Sequence, residues 1–190
     1  MTKSELRAFI KKQAAACSCF TESSAALCNK IINSPQFQQA SVILAYMALP
    51  DEADLDGVIN RALALGKRLY IPKVNPENST MEFFQYSGET ERGAFNIQEP
   101  SSTSTDKTKP FCPEKETEPT LVLVPGRAFT PRGLRLGRGK GFYDKYLSRF
   151  FTEDGIKKGA VFAGVCLHFQ LLSELPADEH DIRMDFIFQE

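Results

Sequence analysis

Residues 41–74 read SVILAYMALPDEADLDGVINRALALGKRLYIPKV. The run opens at 41–47 with SVILAYM, apolar almost without interruption and of strand length. A strand lacking polar alternation is one covered on both faces, as a central parallel strand is. Leu55, Val58, Ile59, Ala62 and Leu63 then fall at i, i+3, i+4, i+7 and i+8, the spacing of an amphipathic helix. Asp54 stands where it can cap the start of that helix. Gly66 stands where a left-handed residue ends one. RLYIPKV at 68–74 is the next strand, and Pro72 predicts that it ends early or lies near an edge. Strand, helix and strand in this order make a βαβ unit, with a right-handed crossover expected.

Working outward, residues 4–20 read as a helix on the spacing of Leu6, Phe9, Ile10 and Gln13, with Lys3 and Arg7 one turn apart on a single face. A second helix is expected over 22–32, with Leu27, Ile31 and Ile32 inward, Thr21 or Ser23 as its cap and Pro35 just past its end. MEFFQY at 81–86 is another strand. TLVLV at 120–124 is a buried one that stops at Pro125-Gly126. A helix over 141–150 and strands at 160–166 (AVFAGVC) and 184–188 (MDFIF) complete the pattern. Residues 101–119, dominated by Ser, Thr, Lys, Glu and Pro, read as a flexible exposed loop or insertion. The alternation of helices with apolar strands predicts one α/β domain over residues 1–190, a three-layer α/β/α sandwich with a mainly parallel central sheet.

A chain of 190 residues suits a single compact domain, here expected to act as a monomer. A formal net charge of -1 argues against binding nucleic acid or a membrane with the whole surface, so any strong anion binding must come from a local cluster of positive charge. Lys3, Arg7, Lys11 and Lys12 break up any apolar leader, and no stretch is long enough to span a bilayer, so the expected location is the cytoplasm. The five scattered cysteines read as reduced thiols. Cys17 and Cys19 form a C-x-C, but no second pair completes a zinc site, and they read as small apolar residues beside a helix.

The segment with chemistry in it is 121–147, LVLVPGRAFTPRGLRLGRGKGFYDKYL. A buried strand runs into a loop holding Gly126, Gly133, Gly137, Gly139 and Gly141, and ligands of open α/β sheets bind beyond the carboxyl ends of strands. Glycines let backbone N–H groups approach an anion, and the following helix start adds partial positive charge. Arg127, Arg132, Arg135, Arg138 and Lys140 add full charges. Lys140 is followed by Gly141 rather than Ser or Thr, so this is no Walker A loop, and G-x-G-x-G is no dinucleotide fingerprint. On these grounds the loop is a phosphate site, its alternative being a solvated arginine-rich turn.

VPGRAF at 124–129 and RLGRGKGFYD at 135–144 resemble the hallmark segment of the 5-formyltetrahydrofolate cyclo-ligase family, also called methenyltetrahydrofolate synthetases. Other landmarks agree in order: Lys3-x-x-Leu6-Arg7, Glu52-x-Asp54, GKRLYIPKV at 66–74, Met81-Glu82-Phe83, Glu99-Pro100, and His180-Asp181-x-x-x-Asp185. The resemblance covers nearly the whole chain. The chain departs from the family pattern in having Phe142 for the first tyrosine of Y-Y-D, Thr130 for a frequent Asp, the variant segment His168-Phe169-Gln170 and a longer insertion at 101–119.

The resemblance implies an ATP-dependent ligase of one-carbon metabolism that closes 5-formyltetrahydrofolate to 5,10-methenyltetrahydrofolate and releases ADP and phosphate. The formyl oxygen would be phosphorylated by ATP and displaced on attack by N10 of the folate. It assigns Arg135, Leu136, Gly137, Arg138, Gly139, Lys140, Gly141, Phe142 and Tyr143 to ATP, with Lys140 and Arg138 catalytic. Lys3 and Arg7, which alone read as a solvated helix face, join them. Glu52, Met81, Phe83, Phe142 and Tyr143 would bind the folate, although loop, core and helix-packing roles suit the same residues. Asp144 and Asp185 would hold Mg2+, where unaided they read as a first-turn helix residue and an exposed strand residue. His168 and His180 lack metal-ligand partners at suitable spacing and read as structural or surface residues. Two other readings compete: a sugar-phosphate isomerase that uses no nucleotide, and an RNA-binding module built on the basic run 127–149.

Overall fold

The structure, a computed structural model, describes residues 1–105 and 108–190. In chain order its strands are β1 (Val42–Leu44), β2 (Arg68–Asn75), β3 (Thr80–Gln85), β4 (Thr90–Arg92), β5 (Gln98–Pro100), β6 (Thr120–Val124), β7 (Ala128–Phe129), β8 (Arg135–Leu136), β9 (Ala160–Cys166) and β10 (Phe186–Gln189). The α-helices are α1 (Lys3–Ala16), α2 (Phe20–Ile32), α3 (Pro35–Gln39), α4 (Asp56–Ala64), α5 (Ser102–Thr105) and α6 (Phe142–Leu147).

Among the described residues, six strands form the central sheet in the order β10-β9-β6-β1-β2-β3. All neighbours are parallel except β3, which returns antiparallel on β2. The chain leaves β1 for β2 on one side and later fills β6 on the other. The topological switch therefore lies between β1 and β6, and a crevice opens beyond their carboxyl ends.

The apolar runs are explained by burial on both faces. Ile43, Leu121, Leu123 and Val165 pack with Leu27 and Ile31 of α2 and Val58 and Ile59 of α4. Val42, Leu44, Val122 and Phe162 face the other way, toward Phe83, Tyr146, Leu147 and Phe150. Each fully covered side chain of this kind contributes about 1.5–3 kcal/mol of transfer free energy, so these strands tolerate no polar alternation. Pro72 sits inside β2 rather than ending it. Pairing of β2 with β1 stops at Tyr70, so Pro72 needs no donor on that side.

Several boundaries differ from expectation. Helix α1 stops at Ala16, and its buried face is Leu6, Ile10 and Ala14, leaving Phe9 exposed. A reciprocal Thr2–Glu5 capping box starts it. α2 begins at Phe20 behind Cys19, without the Thr21 or Ser23 cap. Asp54 lies one residue outside the cap of α4, yet its Oδ1 accepts the Asp56 N–H at 2.7 Å. Within 101–119, α5 and a 3-10 turn at Pro113–Lys115 form, and Phe111 is buried beside Tyr70 at 4.9 Å between ring centroids. Asp106 and Lys107 of that stretch lie outside the described residues. Two short hairpins, β4–β5 and β7–β8, add to the expected elements, and both border the crevice.

Candidate active site

A cavity of about 580 Å3 occupies the crevice, within the ordinary range of small-molecule sites. The loop after β1 supplies its first acid. Glu52 N–H donates to the Leu49 carbonyl at 2.9 Å, and Leu49 N–H returns to Glu52 Oε2 at 3.1 Å. This reciprocal turn points the carboxylate inward, where it is 8% exposed. The turn after β6 is held from below: Gln170 Nε2 donates to the Gly126 carbonyl at 2.8 Å while Gln170 Oε1 accepts the Leu167 N–H at 2.9 Å.

The β7–β8 hairpin carries Arg135 and Leu136 to the cavity wall. Arg135 is buried. Its Nη2 donates to Asp144 Oδ2 at 2.8 Å, and its guanidinium carbon lies 5.6 Å from the centre of the Tyr143 ring. Its Nε is buried without a protein partner. Arg138 Nε donates to Glu52 Oε1 at 2.9 Å, and Nη2 also pairs with Asp51, whose second oxygen takes Arg127. Burial opposes the Asp51 charge, but Arg138 and Arg127 outweigh it and hold its carboxyl below the usual range.

Helix α1 brings two more cations. Leu6 and Ile10 bury against Ala128 and Leu136 of the hairpin, which aims the Lys3–Arg7 face at the cavity. Lys3 Nζ meets Asp178 at 2.8 Å and Asp181 at 2.7 Å. Burial works against the Lys3 charge, but those two carboxylates prevail and raise its pKa. Arg7 Nε donates to the Gly137 carbonyl at 2.9 Å. Its guanidinium passes over Gly139, whose φ of 93° favours glycine there.

Five cations and five carboxylates line the cavity, and most are matched: Lys3, Arg135 and Arg138 each have an acidic partner. Arg7 and Lys140 do not. Arg7 meets only a carbonyl, and Lys140 has no hydrogen-bond or ion-pair partner among the described residues. Two uncompensated positive charges thus flank the glycine turn. The opposite wall is apolar, built by Met47, Leu49, Pro72, Val74, Met81 and Ile97. Glu99 is buried in that wall. Its Oε1 accepts the Val74 N–H at 3.1 Å, and burial raises its carboxyl pKa.

Most residues singled out from sequence meet here: Lys3, Arg7, Glu52, Met81, Arg135 to Gly141, Phe142, Tyr143 and Asp144 all line the cavity. Burial, with the Glu52 charge adding to it, raises the Tyr143 hydroxyl pKa, so that the ring stays neutral. Three sets of residues lie elsewhere. Phe83 is fully buried behind the wall, with its ring 6.4 Å from that of Tyr143. Arg127 and Arg132 do not reach the lining; the first is spent on Asp51 and the second is exposed. Asp185, expected beside Asp144 as a metal ligand, lies outside the cavity lining. Its Oδ2 accepts the Phe162 N–H at 2.7 Å and pairs with Lys157, near the start of β9 and away from the carboxyl ends of the strands. Asp178 and Asp181 line the cavity instead, as do Tyr46 and Glu99, and none of these carried a role from the sequence. Glu99 and Asp181 stood within quoted landmarks, which was the available signal. His168 and His180 are outside the lining.

Among the described residues no helix is long and apolar enough to cross a membrane. The chain is 32% identical to a probable 5-formyltetrahydrofolate cyclo-ligase of Caenorhabditis elegans over 197 residues, covering 99% of this chain and 92% of that one. It is 27% identical to the mouse 5-formyltetrahydrofolate cyclo-ligase, over 86% of this chain and 80% of the other. The solved structure of Aquifex aeolicus 5,10-methenyltetrahydrofolate synthetase superposes with a TM-score of 0.79 at 28% identity, covering 100% of this chain and 90% of that one. The model of the 5-formyltetrahydrofolate cyclo-ligase family matches residues 1–190, and the chain belongs to that family.

Proposed function

We propose that this cavity is where the chain performs its family's reaction, the ATP-dependent closure of 5-formyltetrahydrofolate to 5,10-methenyltetrahydrofolate. The observation that carries the assignment is the pairing of charges: Arg7 and Lys140 are the lining cations without a carboxylate, and they flank the Arg135–Gly141 turn. A triphosphate supplies the acidic partner that these two groups lack. The Arg7 guanidinium, held on the Gly137 carbonyl, and the Lys140 ammonium stabilise charge that shifts onto the transferring phosphoryl group.

The apolar wall suits a flat heteroaromatic ring, with Phe142, Tyr143 and Met81 against its faces. Glu52 accepts N–H groups of the folate. Arg138, fixed by Asp51 and Glu52, stands between that acid and the glycine turn, where the formyl oxygen must meet the γ-phosphorus. Phosphorylation turns this oxygen into a leaving group. N10 attacks the activated carbon, and phosphate departs as the methenyl bridge closes. Lys140 screens the charge on the transferring phosphoryl group.

Mg2+ fits the acids present. Among the described residues no cluster of three or more His, Cys, Asp or Glu side chains could hold a metal alone. Mg2+ bound with a nucleotide needs only one or two carboxylates beside phosphate oxygens. Asp144 lines the cavity, and Asp181 joins it there within electrostatic reach of Arg135. These two would hold the ion, which supplies charge neutralisation to the phosphates. All five cysteines are free, as suits a reducing compartment such as the cytoplasm.

The test mixes protein, MgATP and 5-formyltetrahydrofolate and follows methenyl-folate absorbance together with ADP. Both should appear in equal amounts and only when all components are present. ADP release independent of the folate would overturn the assignment.

A further inference from the structure

Cys17 and Cys19 lie outside the cavity, in the turn between α1 and α2, and face each other with Sγ atoms 3.7 Å apart. The remaining cysteines are separate: Cys28 and Cys166 are buried, and Cys112 donates to Glu114 at 3.0 Å. Cys19 is exposed, Cys17 is half-buried, and Ser18 between them is exposed, so a small reagent can reach the pair. A disulfide needs its sulfurs ~2.05 Å apart, so the two must close by more than an ångström. Both residues lie just outside the helices, at their ends. Cys17 is the extended C-cap of α1 (φ -76°, ψ 108°), and Cys19 is the residue before the first turn of α2.

We propose that Cys17 and Cys19 form a modification site, a dithiol that closes to an intramolecular disulfide by exchange with a low-molecular-weight disulfide of the glutathione type. Cys19, the more exposed sulfur, attacks as thiolate. A bond forms between Cys19 Sγ and one glutathione sulfur, and the other glutathione leaves as thiolate. Cys17, once deprotonated, attacks Cys19 Sγ and expels the second glutathione. Two protein thiols are oxidised and one glutathione disulfide is reduced to two thiols, so electrons and protons balance. The Cys17 thiol is pushed up, by burial first and then by its contact with Cys19, which suits a resolving thiol that reacts second.

The experiment treats the intact chain with excess glutathione disulfide under native conditions. The expected product has lost the mass of two hydrogens, no longer takes iodoacetamide at positions 17 and 19, and regains both labels after dithiothreitol. Cys17→Ser should instead accumulate one glutathionyl group at Cys19, and Cys19→Ser should lose the cross-link altogether. Stable glutathione adducts on wild-type Cys17 or Cys19, or unchanged labelling of both, would overturn the proposal. Intact mass and labelling are read on the wild type, so the outcome does not depend on the cyclo-ligase assignment or on how the variants fold.

Discussion

Arg138 reaches from the glycine turn to Glu52, 86 residues earlier, placing Nε 2.9 Å from Oε1. The contact spans the switch between β1 and β6, tying the acid of one loop to the glycine turn of the other. Glu52→Gln keeps the shape and removes the charge. It is expected to raise KM for 5-formyltetrahydrofolate by about tenfold, equal to ~1.4 kcal/mol of binding, with KM for ATP changed less than ~2-fold. Steady-state methenyl formation at varied folate and varied ATP separates the two. An equal rise in both constants would place Glu52 in general support of the cavity instead.

Asp144 and Asp185 carry opposite expectations. Asp144 shares the cavity with Asp181, whereas Asp185 pairs with Lys157 and the Phe162 N–H. Asp144→Asn should raise the Mg2+ concentration for half-maximal rate by about tenfold or more. Asp185→Asn should leave that concentration unchanged and lower the melting temperature, since a strand N–H loses a charged acceptor worth ~1.5–3 kcal/mol. Magnesium titrations and thermal unfolding on the two variants decide the matter.

The strands were legible because burial on both faces writes them as continuous apolar runs. The boundaries at Thr120–Val124 and Ala160–Cys166 coincide with the runs themselves. The β7–β8 hairpin left no such mark. Its two-residue strands are held by tertiary contacts, among them Met184 N–H on the Gly133 carbonyl at 2.8 Å and the cover of Leu6 and Ile10. The glycine turn was legible through its charge and spacing. Its acidic partners were not, because Asp51 meets Arg127 and Arg138 from 76 and 87 residues away. Asp181 and Asp185 show the limit of a spacing motif. The Met184 and Asp185 N–H groups are fixed to Gly133 and Phe162, and the chain between the two acids sends them to different places.

Gly133 is where the hairpin meets the C-terminal segment. A Cβ there would lie 2.2 Å from the Met184 carbonyl oxygen, and its φ of 81° already disfavours any other residue. Because the neighbour is backbone, it cannot rotate away. Gly133→Ala is expected to cost at least ~3 kcal/mol, as strain and the lost Met184 hydrogen bond combine. Urea unfolding measures it; a loss below ~1 kcal/mol would mean that the hairpin shifts freely.

Stability should respond to acid through Asp51 and Asp181. Burial opposes ionisation of each, but Arg138 and Arg127 hold the first below its ordinary pKa and Lys3 holds the second. The folded state therefore binds fewer protons than the unfolded chain, whose Asp groups titrate near ~3.9. Their contribution is complete above that value and is lost as pH falls through the folded pKa values. The melting temperature should hold from neutral pH to about 5 and fall below about 4. Asp51→Asn should lower the neutral value and shrink the acid drop. An unaltered drop in that variant would assign the acid response to other groups.

Lys140 differs from its neighbours in having no partner among the described residues. Arg135 is buried against Asp144, so truncating it breaks an internal pair and confounds folding with catalysis. Lys140 is exposed in the turn, and its removal leaves every ion pair of the cavity in place. Lys140→Ala should keep the wild-type melting temperature within about a degree, because exposed substitutions that break no contact cost under ~0.5 kcal/mol. Its kcat should fall by about 100-fold or more if, as proposed, this charge meets the transferring phosphoryl group. Lys140→Arg keeps the charge but changes its geometry, and should recover part of that loss. Full turnover in Lys140→Ala would remove the ammonium from the reaction and leave Arg7 as the unpaired cation that meets the nucleotide.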